Sequence, residues 1–419
     1  MGRHRSDEAP LSRTAPEAAV QHARRAPLTG GWRSWLRWAA LGVSTVLVIA
    51  VGMVVLAVHD VAKNVTYIAG YSSTAKPDLR AYKGAVNLLL IGSDSRAGQD
   101  KSSYGDASKQ SASADVMILI HLNSAHTNAV AMSFPRDLMV SVPSCPKNDG
   151  SGESYSAMSS VQLNSTLSYG GASCTAKTIE SLTGLDIPFV AEIGFDGVVE
   201  MTNAVGGVSV CVTSDINDRQ SGLQLSAGEH VIQGAQALSF LRDRHGIGDG
   251  SDLGRISGQQ VYMASLVRKL HSEKTLSDPV KVYKLASAAT RNMQFSSNLG
   301  DVSTLAQLAT AASHISLENV VFLQAPTAAD PTNSNRVVFD QPLANQLFAK
   351  LKADEVFQLS PAAQTGAGSV VEGSASASAS AESETSASAS AEASASSSYL
   401  PDSVRGQTAA TQTCAKAQK

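Results

Sequence analysis

Charge of either sign is scarce in this chain. Lys and Arg number 33 against 36 Asp and Glu in 419 residues, a formal net charge of −3. No broad basic face is available to meet a phosphate backbone, which excludes nucleic acid as a partner. Three familiar catalytic patterns each lack a part. Gly92-Ser93-Asp94-Ser95 has no glycine two places after a serine, so it is not a nucleophile elbow. The run from Gly171 to Thr178 approaches a nucleotide P-loop, but Ala176 stands where the second glycine belongs and no strongly apolar strand precedes it. His121 and His126 bracket a hairpin turn, and zinc would need a third ligand that is not found. Cysteine is limited to Cys145, Cys174, Cys211 and Cys414. Four cysteines allow three pairings and fit an exported, oxidising setting. Cys145 and Cys174 flank a loop-like segment rich in Ser, Gly and Asn and are the expected pair. Cys211 with Cys414 would then tie the tail back to the core.

Long apolar runs are missing but for one. Residues 39–58 carry no charge and have the length that spans a bilayer. Arg3, Arg5, Arg13, Arg24, Arg25, Arg33 and Arg37 precede the run, with Trp32, Trp35 and Trp38 at its boundary. Basic residues before a span, with an aromatic belt, keep the N-terminus in the cytoplasm and export the rest. A cleaved signal peptide is the competing reading; against it stand the long basic preamble, the length of the run and the lack of an A-x-A site. The expected division is a cytoplasmic basic tail (1–38), a transmembrane helix (39–58), a juxtamembrane connector (59–81), a catalytic domain (82–273), a C-terminal extension (274–360) and a disordered tail (361–419). The tail reading rests on the Ser/Ala alternation from Ser374 to Ser398, which has nothing to bury.

Within the exported part, three short apolar runs read as buried strands: Val86 to Ile91, closed by Gly92 and Asp94; Val116 to Leu122, with Asp115 at its start; and Ala129 to Phe134, ending at Pro135-Arg136. If the first two lie antiparallel, Asp94 and Asp115 meet on one rim of the sheet. Two carboxylates there suit Mg²⁺, which keeps waters and binds substrate phosphate oxygens; singly, each Asp also fits a turn or a cap. Lys177 to Leu182 with Gly184, and Gly197 to Ala204 with Gly206, read as capped helices, and Ile187 to Phe195 and Val208 to Val212 as strands. Strands and helices alternate. The fold class is therefore α/β or mixed α+β, a central sheet sandwiched by helices.

Arginine is clustered near one point. Arg242 and Arg244 fall at the end of a helix over Gln233 to Leu241, and a second helix from about Ser251 to His271 carries Arg255 and Gln259 four apart on one flank. Guanidiniums brought together repel unless an anion bridges them, and their forks match phosphate oxygens two at a time. A helix start adds unpaired N–H groups and the positive end of its dipole. The alternative is that these arginines form surface pairs with Asp243, Asp249 and Asp252, each of little energetic weight.

Taken together, Asn87-Leu-Leu-Leu-Ile-Gly-Ser-Asp94-Ser-Arg96, Ser113-Ala-Asp115, Ser133-Phe-Pro-Arg136-Asp137, Leu163-Asn164, Tyr169-Gly-Gly171, Val205-Gly-Gly-Val208 and Leu241-Arg-Asp-Arg244 with Gly254-Arg255 and Gln259 resemble the LytR-CpsA-Psr proteins of bacterial cell envelopes. The resemblance covers Tyr82 to Leu270 strongly, with Val280 to Leu359 as a weaker extension. It implies a membrane-anchored phosphotransferase on the outer face of the cytoplasmic membrane. Such an enzyme moves a glycopolymer from a polyprenyl diphosphate carrier to a peptidoglycan hydroxyl and leaves polyprenyl phosphate. By that resemblance Arg136, Arg242, Arg244, Arg255 and Gln259 hold the diphosphate, Asp94 and Asp115 seat Mg²⁺, one of the two accepts the acceptor's proton, and a tunnel between sheet and helices houses the lipid. Ser113 and Gln162 depart from the family pattern, which carries basic residues there. They keep open a non-catalytic polyprenyl-phosphate-binding regulator or scaffold; a third reading is a hydrolase, with water taking the acceptor's place.

Overall fold

The computed structural model of the protein describes residues 31–71, 84–95, 112–147, 151–273, 275, 278–360, 363, 365–372 and 398–418. It divides into two units, one ending at Leu56 and one running from Ala57 to the C-terminus. In the first, the described residues form a single helix, α1 (Gly31–Lys63), whose last turns belong to the second unit. Its Trp35–Lys63 stretch, with a mean hydropathy of 2.7 over its most apolar 18-residue window, is long and apolar enough, by length and composition, to cross a membrane. Residues 1–30, with the five arginines expected to face the cytoplasm there, lie outside the described residues.

The second unit is built on an eight-stranded mixed sheet. Its strands, together with those of a smaller four-stranded sheet, are numbered in chain order: β1 (Thr66–Tyr67), β2 (Val86–Ser93), β3 (Ala114–Leu122), β4 (Ala129–Phe134), β5 (Phe189–Ile193), β6 (Val208–Val212), β7 (Gly228–Ile232), β8 (Met293–Phe295), β9 (Val320–Gln324), β10 (Ser369–Val371), β11 (Gly406–Thr408) and β12 (Thr413–Ala415). The large sheet runs β1-β8-β5-β2-β3-β4-β9-β11, and the small one β7-β6-β12-β10. At the centre β2, β3 and β4 are successively antiparallel, while β5 and β9 flank them in parallel.

Side chains that alternate across a strand feed two cores. Leu89, Ile91, Met117, Leu119, Val130 and Met132 pack on one face against α2 (Thr166–Thr183) and the helix Gln341–Lys352. On the other face Leu88, Leu90, Ile118 and Ile120 meet side chains of α5 (Asp252–Ser272), α6 (Pro279–Asn292) and the helix Val302–Ser313. The expected sandwich is present. Between these elements lie α3 (Phe195–Val205) and α4 (Gly234–Arg242). α3 ends on Gly206, whose φ of 79° is the left-handed conformation that glycine supplies without steric cost. A Cβ at Gly197 would stand 2.7 Å from Asn292 O, so α3 needs that glycine to approach the end of α6.

The near-P-loop lies inside α2, kinked at Gly170 and Gly171, so it is not a phosphate loop, in line with its missing second glycine. Two expectations change. Residue 273 is no boundary, because β8 and β9, from the supposed C-terminal extension, sit within the large sheet. The tail is not uniformly disordered: β10, β11 and β12 pair in the two sheets, while residues 373–397, most of the Ser/Ala alternation, lie outside the described residues. Pairing partners and a cross-link hold these short strands, not their own composition. Cys211 faces Cys414 across the β6/β12 ladder and is bonded to it, and Cys145 is bonded to Cys174, both as expected.

Candidate active site

Antiparallel pairing, with a bulge between Gly92 and Ser93, sets the carboxyl end of β2 beside the amino end of β3. The Asp94 amide donates to Ser113 O at 3.1 Å, and Asp94 Oδ1 accepts from the Ser113 amide at 2.6 Å. Asp115, two residues along, lies on the same rim. Its carboxylate takes Arg136 Nη1 at 2.6 Å, and its carbonyl takes Arg255 Nη2 at 2.8 Å. Arg136 reaches this point because β4 lies beside β3 and stops at Phe134, so the following Pro135-Arg136 turns over the rim.

Ser251 caps α5 by accepting from the Gly254 amide, which sets Asp252 in the first helical turn, where a carboxylate complements the dipole. Asp252 and Arg255 are both buried and pair at 2.5 Å. Asp252 Oδ2 also accepts the Arg136 amide at 3.1 Å. Arg136 and Arg255, distant in sequence, therefore converge on Asp115 and Asp252. Burial works against the Arg136 charge, but Asp115 beside it prevails, and the guanidinium is held more firmly protonated than usual. Arg244 goes the other way: burial and then the positive charges of Arg136 and Arg255 weaken its hold on its proton. Its Nε is buried without a hydrogen-bond partner. Arg242 is exposed and lies over the Phe195 ring, 4.3 Å from the centroid, while Gln259 Nε2 donates to Leu241 O at 2.9 Å. Of the surface pairs weighed as the alternative, only Arg255 with Asp252 forms among those named, and it is buried.

A cavity of about 250 Å³ opens between the sheet and three helices. Leu90, Val116, Ile118, Ile193 and Met293 line it from the strands, and Val198, Met201, Leu238, Tyr262 and Leu266 from α3, α4 and α5. Asp115, Arg242, Arg255 and Gln259 share that lining. Sequence reasoning missed these apolar residues and the Phe195 platform. The stripe Phe195, Val198, Thr202 and Val205 has helical spacing, but spacing alone does not separate a cavity wall from a packed core. It missed Asp252 as the shared carboxylate as well.

Asp94 and Asp115 offer oxygen donors from adjacent strands, a set that suits a hard cation. Among the described residues no group of three or more His, Cys, Asp or Glu could enclose a metal.

Asp243, between the two α4-end arginines, is fully buried. Its Oδ1 accepts the amides of His245 and Gly246 at 3.0 and 2.8 Å, and its Oδ2 has no hydrogen-bond partner. Burial, then the facing Asp218 carboxylate, pushes Asp243 up to about 6. A folded state that holds this proton above the ordinary carboxyl range loses stability as pH rises from about 4 through 6. Asp218, lowered by the hydrogen bonds it accepts despite its burial, acts with the opposite sign. D243N retains an acceptor for the two amides and is expected to remove the Asp243 contribution. Its thermal midpoint should match the parent near pH 4 and exceed it at pH 7. Parallel midpoint-against-pH curves for the two proteins would contradict this.

A model of the LytR_cpsA_psr family matches residues 53–353. The chain is 31% identical over 278 residues to the cell wall biosynthesis protein LcpA of Corynebacterium glutamicum, covering 61% of this chain and 52% of that protein. It thus spans about half the length of that relative. It is 27% identical over 274 residues to the polyisoprenyl-teichoic acid–peptidoglycan teichoic acid transferase TagU of Enterococcus faecalis, covering 63% of this chain and 80% of that one. Among solved structures, the crystal structure of protein gbs0355 from Streptococcus agalactiae aligns with a TM-score of 0.51 at 23% identity, over 68% of this chain and 91% of that one. TagT bound to LI-WTA aligns at 0.50 and 21% identity, over 69% and 98%. At such identities the structural likeness speaks to the fold alone.

Proposed function

The chain belongs to the LytR_cpsA_psr family, and on that premise we propose that it is a membrane-anchored phosphotransferase that moves a glycopolymer from polyprenyl diphosphate to peptidoglycan. The observation that carries this reading is the apolar cavity with arginines in its lining. Its walls suit an isoprenoid chain, and Arg242 and Arg255 suit the diphosphate at that chain's head. The helix Trp35–Lys63 would hold the domain beside a substrate whose tail stays in lipid. The two disulfides agree with an exported, oxidising location for the domain.

In this mechanism Arg136, Arg242, Arg244 and Arg255 hold the diphosphate, Arg242 from its place over Phe195, with Gln259 beside them tied to the end of α4. A peptidoglycan hydroxyl oxygen attacks the phosphorus next to the polymer, the bond to the bridging oxygen breaks, and polyprenyl phosphate departs. Negative charge grows on that bridging oxygen, and fixed guanidiniums there need no reorganisation to meet it. The Asp115 carboxylate is already committed to Arg136 Nη1 at 2.6 Å, with Arg255 within 4.0 Å. Asp94 is the better candidate to take the hydroxyl proton. Mg²⁺, seated by Asp94 and Asp115, would neutralise phosphate charge when bound.

The full-length chain in detergent, given a lipid-linked polymer and peptidoglycan, is expected to release polyprenyl phosphate and attach glycan covalently, both only with Mg²⁺. Donor binding without product would favour a scaffold. Released phosphate without attachment would favour a hydrolase.

A further inference from the structure

We propose that Arg336 is a positioning residue of the clamp, which neutralises Asp137 so that Arg136 keeps its charge for the diphosphate; this rests on the phosphotransferase reading. Arg336 lies on a hairpin formed by Thr327–Asp330 and Asn333–Phe339. That hairpin is fixed to the segment after Arg136 by its backbone. The Val337 amide donates to Asp137 O at 3.3 Å, and Leu138 bridges Val337. Arg336 is thereby delivered to Asp137 by main-chain pairing, and its Nη1 donates to Asp137 Oδ1 at 3.2 Å.

The charges around Arg136 explain why this matters. Asp115 is at 2.6 Å from its guanidinium, and Asp137 and Asp252 each lie 3.6 Å from its Nε, which is buried without a hydrogen-bond partner. Arg255 shares two of these carboxylates. With Arg244, which faces both Arg136 and Arg255, three guanidiniums meet three carboxylates, a neutral set with no net attraction for a diphosphate. Gln162 Nε2 donates to the same Asp137 oxygen at 2.8 Å, but an amide brings no charge. Arg336 gives the set a net positive charge and takes up Asp137 Oδ1, so the pull of Asp137 on the Arg136 guanidinium is shared between two arginines. Both partners are only partly exposed, 29% for Arg336 and 16% for Asp137, so solvent screens the pair incompletely.

The test uses full-length protein in detergent with farnesyl diphosphate as probe, read by calorimetry, together with donor KM and kcat. R336Q is expected to weaken farnesyl diphosphate binding about tenfold and to raise the donor KM similarly, with kcat within about threefold. R336K, which keeps the charge, should bind within about threefold of the parent. Adding D137N to R336Q should recover most of the lost affinity, a result that a purely packing role for Arg336 does not produce. If R336Q does not fold, R336K and the double variant carry the comparison. Unchanged binding by R336Q, or a double variant no better than R336Q, overturns the inference and leaves the transferase reading standing. A parent that binds no farnesyl diphosphate overturns both.

Discussion

Arg255→Ala is expected to end polymer transfer and also to weaken the fold, whereas Arg242→Ala is expected to end transfer alone. Arg255 is 4% exposed and pairs with the buried Asp252 while donating to Asp115 O. Its removal strands a buried carboxylate, which costs about 3–5 kcal/mol. Arg242 is exposed at the end of α4 over the Phe195 ring. Loss of that stacking costs about 1 kcal/mol. Removing one preorganised donor to a developing charge lowers turnover by roughly 10²–10³. Thermal unfolding and released polyprenyl phosphate, measured on both variants, separate the two effects. Parental turnover by Arg242→Ala would show that the arginine cluster is not the phosphate site.

The second large effect concerns the lipid. Val198 projects from α3 into the cavity lining. Val198→Trp should fill space that an isoprenoid chain would occupy. Each methylene moved from water into an apolar site contributes about 0.8 kcal/mol, so exclusion of even a few carbons is expected to cost at least about a hundredfold in prenyl diphosphate affinity. Inorganic pyrophosphate, which has no tail, should bind the variant and the parent alike. An equal loss for both ligands would mean that the substitution had disturbed the clamp and not the cavity.

These two results test parts of the protein that differ in how far the sequence disclosed them. β2, β3 and β4 are short apolar runs, each closed by glycine, aspartate or proline, and such punctuation is local. The placement of Asp94, Asp115 and Arg136 on one rim followed from the antiparallel order of β2 and β3. Arg255 and Gln259 followed from helical spacing. The partners of these groups were hidden because they depend on tertiary pairing. In the sequence Asp252 reads as a surface partner for the arginines, and it is instead the buried carboxylate shared by Arg136 and Arg255. Arg336 is an isolated basic residue until its hairpin docks beside Asp137. β11 and β12 are only three residues long, follow a Ser/Ala tract, and exist because β9 and β6 offer open edges and Cys211 anchors Cys414. The cavity was hidden for a different reason. A stripe of apolar side chains on α3 reads the same whether it fills a core or leaves a space.

A crystal structure of the full-length protein with a bound prenyl diphosphate tests the central claim most directly. The account expects density for two phosphates against Arg242 and Arg255 and for the prenyl chain between the sheet and α3, α4 and α5. Phosphates bound elsewhere, or a chain lying outside the cavity, would contradict it.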